Sequence, residues 1–219
     1  MRIPTKDLLN LYFLYSMKKF LMAALIFCGA LTASAQTKGN VRFGLTGGMN
    51  IANITNNNSD YRIGFNIGGR LEYGITNNVY LGTGLLFTQK GYESDVTLDG
   101  FKIEDKANPL YLQIPIHIGY HHNFGNGIGI FGETGPYLAF GIAGKAKQKG
   151  ETEIGYVEEK QDFFGDDACN VFDMGWGLRA GLNVNQFQIH VGYEYGITKV
   201  IDNTDLHNSN VSIGVSYFF

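Results

Sequence analysis

The chain has few means of covalent stapling. It holds only two cysteines, Cys28 and Cys169, and the first lies in a segment read below as a leader. The remainder can therefore form no internal disulfide. Proline is scarce, at 4 residues, and tryptophan occurs once. Basic residues do not outnumber acidic ones: 17 Lys and Arg face 20 Asp and Glu, for a net charge of −3. Without a basic surface the sequence offers no footprint for nucleic acid. Long apolar runs are missing beyond residue 35, and mean hydropathy is −0.08, which excludes a bundle of membrane-spanning helices. The glycines of Gly125 to Gly129 precede no helical pattern, so they read as turn and strand glycines rather than a phosphate loop. No cofactor is expected.

Glycine and aromatics are plentiful. There are 30 Gly, 16 Phe and 13 Tyr, a pairing expected where strands turn sharply and rings sit at a membrane boundary.

The amino-terminal segment has the layout of an export signal. Met17-Lys18-Lys19 supplies the positive start, Phe20 to Leu31 an apolar run, and Ala33-Ser34-Ala35 a small-residue cleavage site before Gln36. The run is short for a transmembrane helix; the competing reading is a buried apolar helix. Bulky Phe27 before Cys28 argues against a lipoprotein. Residues 17–35 are thus expected to be a signal peptide, and 1–16 an upstream extension with translation starting at Met17. Residues 36–219 then form the functional domain, with 13 basic and 19 acidic residues and a net charge of −6.

From Val41 onward the dominant signal is period-two alternation. It is plainest at Leu110 to Tyr120, where Leu110, Leu112, Ile114, Ile116, Ile118 and Tyr120 share one face. Tyr111, Gln113, Pro115, His117 and Gly119 share the other. Similar strands are expected near 41–51, 61–74, 78–90, 127–143, 172–184, 186–196 and 209–219, with Leu86 breaking the pattern in the third. Eight strands emerge. Short links near 76–78, 121–126 and 183–186 alternate with long ones at 52–60, 91–108, 144–171 and 197–208. Short turns on one side and long loops on the other mark an outer-membrane barrel with its short side in the periplasm. The predicted fold is all-β: an eight-stranded antiparallel up-and-down transmembrane β-barrel.

Sided polarity separates this from a soluble sandwich. The apolar face carries no charge, whereas the polar face carries Arg42, Arg62, Arg70, Glu72, Glu133, Asp173, Arg179 and Glu194. Packing those charges into an apolar core would be costly. Turned inward in a barrel too narrow for an open channel, they are expected to pair as a salt-bridged plug; a selectivity role in a narrow channel is the alternative.

The segments Tyr111-Leu112-Gln113-Ile114-Pro115-Ile116, Gly135-Pro136-Tyr137-Leu138-Ala139-Phe140-Gly141 and Gly175-Trp176-Gly177-Leu178-Arg179-Ala180-Gly181 carry a family likeness. So do Tyr193-Glu194-Tyr195-Gly196-Ile197-Thr198 and the closing Gly214-Val215-Ser216-Tyr217-Phe218-Phe219. With these the chain resembles the PorT-like outer-membrane β-barrel proteins, porin-family barrels of Bacteroidota. The resemblance implies residence in the outer membrane among its lipids after Sec-dependent export. It also implies that terminal Phe219 is a signal to the barrel-assembly machinery. It implies no particular activity.

Catalysis is not expected. His190 and Glu194 share a strand face but sit about 13 Å apart along it, His117 nears either only if strands align, and no serine is placed to complete a triad. His121-His122 reads as a solvated periplasmic link. Within 144–171, Glu158, Glu159, Asp162, Asp166 and Asp167 are oxygen donors suited to Ca²⁺, but their spacing matches no defined loop, and a solvated flexible loop is the preferred reading. Phe163 and Phe164 either grip an extracellular or envelope protein partner or fold over the barrel mouth. Cys169 reads as an inert thiol. The expected function is structural or partner-binding display of long loops, ahead of a narrow solute channel and an envelope-lipid-modifying enzyme.

Overall fold

The computed structural model describes residues 39–55, 60–98, 101–152, 155–164, 169–201 and 204–219. The expected extension and leader, residues 1–16 and 17–35, lie outside the described residues, as do Asp166 and Asp167.

Alternating apolar and polar residues build eight long strands that close on themselves. In chain order the described strands are β1 (Val41–Ile54), β2 (Asp60–Gly74), β3 (Val79–Gln89), β4 (Tyr92–Leu98), β5 (Phe101–Ala107) and β6 (Leu110–Gly125). They continue as β7 (Ile128–Ala143), β8 (Lys145–Thr152), β9 (Gly155–Asp162), β10 (Phe172–Val184), β11 (Phe187–Gly196) and β12 (Asn208–Phe218). The barrel runs β1-β2-β3-β6-β7-β10-β11-β12 and back to β1, every pairing antiparallel. Closure is by β1, which pairs β2 from Val41↔Tyr73 to Ala52↔Arg62 and β12 from Gly44↔Phe218 to Ile54↔Asn208. A closed barrel leaves no edge strand.

The short-turn end is tight. β6 continues through Gly125, beyond the boundary expected near Tyr120, and turns at Asn126 and Gly127, with φ of 53° and 75°. Both values suit the hairpin turn whose twist matches that of its flanking strands.

The other end differs from expectation. The links 91–108 and 144–171 are not simple loops, because they contain the hairpins β4–β5 and β8–β9. These join as a four-stranded sheet, β4-β5-β8-β9, attached to the start of β2 through Asp60↔Glu93 and Tyr61↔Tyr92. The apolar-alternation rule missed them for a physical reason. Lys145, Lys147 and Lys149 alternate with Ala146, Gln148 and Gly150; this is period two in charge, with no apolar face to bury.

The outward barrel face is an apolar belt. Ile63, Leu178 and Ile213 are 69%, 57% and 57% exposed. A surface this apolar all round suits lipid, not water. The inward face is filled by polar groups and rings, with Tyr80, Tyr111 and Tyr137 at most 1% exposed. Inward glycines make room for the rings: a Cβ on Gly119 would lie 2.2 Å from the Tyr80 ring. Leu86 keeps the parity of Tyr80 and Thr88 and points inward, so the apparent break in the third strand is an inward apolar residue.

Candidate functional site

The barrel interior is stacked in three tiers of charge, because inward positions on neighbouring strands come level in register. In the periplasmic tier Arg42 of β1 and Glu72 of β2, direct cross-strand partners, form an ion pair. Gln188 Nε2 donates to Glu72 Oε1 at 3.2 Å, and the Arg42 guanidinium lies 4.6 Å from the Phe218 ring centre.

Glu133 of β7 organises the central tier. Arg70 Nη2 donates to its two oxygens at 2.8 and 3.0 Å, Arg179 Nη1 to Oε1 at 3.0 Å, and Tyr80 Oη to Oε2 at 2.9 Å. His117 Nδ1 lies 3.3 Å from Oε1. A carboxylate only accepts, so this nitrogen carries a proton. At His190 the same nitrogen instead accepts, since Arg179 Nη2 donates to its Nδ1 at 2.9 Å. Arg179 Nη2 also donates to Ser216 Oγ at 3.0 Å.

The extracellular tier centres on Lys90, which the sequence reading passed over. Its Nζ is 3.3 Å from Asp173 Oδ2 and 3.5 Å from Glu194 Oε2, and lies 4.2 Å from the Tyr137 ring centre. Tyr137 Oη and Thr198 Oγ1 donate to Asp173 at 3.1 and 3.0 Å, and Gln113 Nε2 donates to Glu194 at 2.6 Å. The signal was present, since Lys90 has the inward parity of Tyr80, Leu86 and Thr88.

Together Arg42, Arg70, Lys90 and Arg179 meet Glu72, Glu133, Asp173 and Glu194, so the described tiers hold four cations and four anions. Between the central and extracellular tiers lies a cavity of about 40 Å³ lined by Asn50, Thr88, Gln113, His117, Glu194 and Asn210 among others. Gln113 Oε1, His117 Nε2 and Asn210 Oδ1 are buried without a protein partner. The space admits about three water molecules and little else.

Several expected site residues sit elsewhere. Arg62 is not part of the stack: it lies at the extracellular mouth, paired with Asn108 and with Glu93 of β4 at 3.3 Å. The reason is position, since Arg62 stands at the outer end of β2, above the wall that encloses the others. Phe163 and Phe164 are not an exposed pair. Phe163 is 2% exposed in a cluster with Ile54, Ala107 and Val200, and Phe164 meets Tyr111 edge-on at 5.4 Å, over the barrel mouth. His121 is likewise not solvated, because β6 runs past it. It is 3% exposed, with Nε2 3.0 Å from the Asn77 carbonyl. Glu158 and Asp162 have the opposite parity to Glu159 on β9, and among the described residues no three acidic, His or Cys side chains converge as a metal site. Phe219 is half exposed at the end of β12, stacked on Phe43 at 6.0 Å.

The Cys169 thiol is half-buried beside Tyr92, and its pKa is pushed up to about 11 by burial and then by the nearby Asp105 carboxylate. The same two causes raise the Tyr92 phenol, which donates to Asp105 at 3.2 Å.

Comparison with known proteins follows the fold. The family model for the outer membrane protein beta-barrel domain matches residues 34–202. Among solved structures, Ail, the attachment invasion locus protein of Yersinia pestis, was crystallised with the heparin analogue sucrose octasulfate. It is 19% identical over 84% of this chain and 100% of its own, with a TM-score of 0.37. Neisserial surface protein A is 14% identical over 82% and 97%, with a TM-score of 0.40. OprG of Pseudomonas aeruginosa is 11% identical over 85% and 99%, also at 0.40. A search of curated proteins gives no match.

Proposed function

The chain belongs to the outer membrane protein beta-barrel domain family, and on that premise we propose that it is a closed outer-membrane barrel presenting its extracellular sheet to a partner. The observation that supports this reading is the balanced interior, four cations against four anions across three tiers. An interior wide enough only for side chains is filled by them, and a solute would have to part ion pairs in every tier. Above the plug the sheet β4-β5-β8-β9 stands outside the lipid. Its β9 edge pairs with no other described strand, and Glu158, Glu159 and Lys160 on it are exposed. Display on a rigid scaffold is how loop-borne contacts commonly work.

Within this reading the barrel is non-catalytic, its His117 and His190 imidazoles serving as members of the plug. Its lineage is the PorT-like group of Bacteroidota, and Phe219 is the residue read by the barrel-assembly machinery. A narrow channel is the second reading, favoured by the polar cavity between the central and extracellular tiers.

Single-channel recording separates the two. The folded protein in a planar bilayer is expected to pass no discrete current, with heat-dependent gel mobility as the folding control. Discrete steps from folded protein would replace the closed-barrel reading with the channel.

A further inference from the structure

A second hollow lies outside the barrel wall, where the β8–β9 hairpin leaves the rim. This groove has a volume of about 740 Å³. Its wall below is apolar, formed by Leu110, Ile142 and Val171 at the outer ends of β6 and β7 and just before β10; its upper part carries Lys145, Lys147 and Asp162.

The height of this groove relative to the lipid follows from the strands. Phe140 and Phe172 are exposed, 5.3 Å apart, and lie level across the β7–β10 pair. From Ile128 to Phe140 the chain climbs about 30 Å, taking about 3.4 Å per residue and a tilt of about 40°. That is about the thickness of the bilayer's hydrocarbon core, so the two rings stand at its outer boundary, where barrels carry an aromatic girdle. The groove opens just above them, at the level of lipid headgroups.

The lysines there are uncommitted. Lys145 and Lys147 make no ion pair with any described residue, whereas Lys106, Lys160 and Lys199 each have a carboxylate within 3.5 Å. Even Asp162, opposite Lys145 in register, forms no ion pair with it. Two ammonium groups over an apolar wall suit an amphiphile with an anionic head. Asp162 leaves the groove one net positive charge and offers an acceptor for a headgroup hydroxyl.

We propose that this groove seats an outer-leaflet lipid with a net-anionic phosphate head, its phosphate on Lys145 and Lys147 and its chains against Leu110, Ile142 and Val171. The site is independent of whether the extracellular sheet binds a protein partner, since it lies at the foot of the hairpin and needs only the membrane.

The test uses the protein in nanodiscs of zwitterionic phospholipid doped with a few per cent of phosphatidic acid carrying a photoreactive chain. Lys145→Gln/Lys147→Gln is compared with Lys149→Gln/Lys199→Gln, which removes the same charge away from the groove; gel mobility confirms folding of each. The expected result is crosslinking to residues 108–110 and 141–147 in the wild type and the second pair, reduced at least fivefold in the first. Millimolar inorganic phosphate is expected not to displace the lipid. Equal crosslinking in all three proteins would overturn the proposal. So would full displacement by inorganic phosphate, which would make the groove a simple anion site.

Discussion

At Glu133 one buried carboxylate answers two guanidiniums, a tyrosine hydroxyl and an imidazole. Burying charge is tolerable only while every partner is present, and removing one member of such a cluster strands the others at a cost of about 3–5 kcal/mol. Glu133→Gln keeps the shape and removes the charge, leaving Arg70 and Arg179 facing each other without it. Its unfolding free energy, taken from urea titrations followed by gel mobility, is expected to fall by that amount, with a lower midpoint. An unchanged midpoint would mean that water inside the barrel already screens the tier. A second residue-scale expectation concerns Cys169. The thiolate is the nucleophile, and a pKa of about 11 rather than the ordinary 9 leaves about a hundredfold less of it at pH 8. Alkylation of the folded protein should therefore be slow at pH 8 and climb about tenfold per pH unit towards pH 11. A rate at pH 8 equal to that of the unfolded chain would contradict the burial of this thiol.

Among the elements, the β8–β9 hairpin is the one whose place depends on a few side chains. It pairs with β5 from Lys102↔Glu151 to Ala107↔Ala146, and its return strand is anchored by Phe163 in the cluster with Ile54, Ala107 and Val200. Truncating a buried Phe costs about 3–5 kcal/mol, and here the loss falls on the extracellular sheet rather than on the barrel, because local units open separately. Phe163→Ala is expected to speed amide exchange across 145–162 while β10 and β11 keep their protection; equal acceleration everywhere would show that hairpin and barrel open together. This element was also the least legible in the sequence. A strand buried on one face announces itself by apolar alternation, as at Leu110 to Tyr120. A strand of alternating lysines looks like a solvated loop until its partners are known, and those partners, β5 and β9, are supplied by topology. Lys90 was illegible for a milder reason: its inward parity was readable, but Asp173 and Glu194 lie about a hundred residues further along the chain.

For the whole molecule, the silent bilayer expected above is a property of summed charge and not of any one pair. The four cations and four anions balance only across the whole stack, the central tier holding two cations to one anion and the extracellular tier one to two, and a cavity of about 40 Å³ holds water without forming a path. The barrel class, its placement in the outer membrane and the two-faced character of its strands were determined by the sequence itself. Period-two alternation with a wholly apolar face requires that face to be buried, and short turns alternating with long links place the burial in lipid around a closed barrel. Tertiary structure alone decided which inward charges meet, that Arg62 stands at the mouth while Lys90 joins the stack, and that Phe163 and Phe164 cover the opening. Those outcomes depend on the register and stagger between strands distant in the chain, and alternation along a single strand carries no record of either.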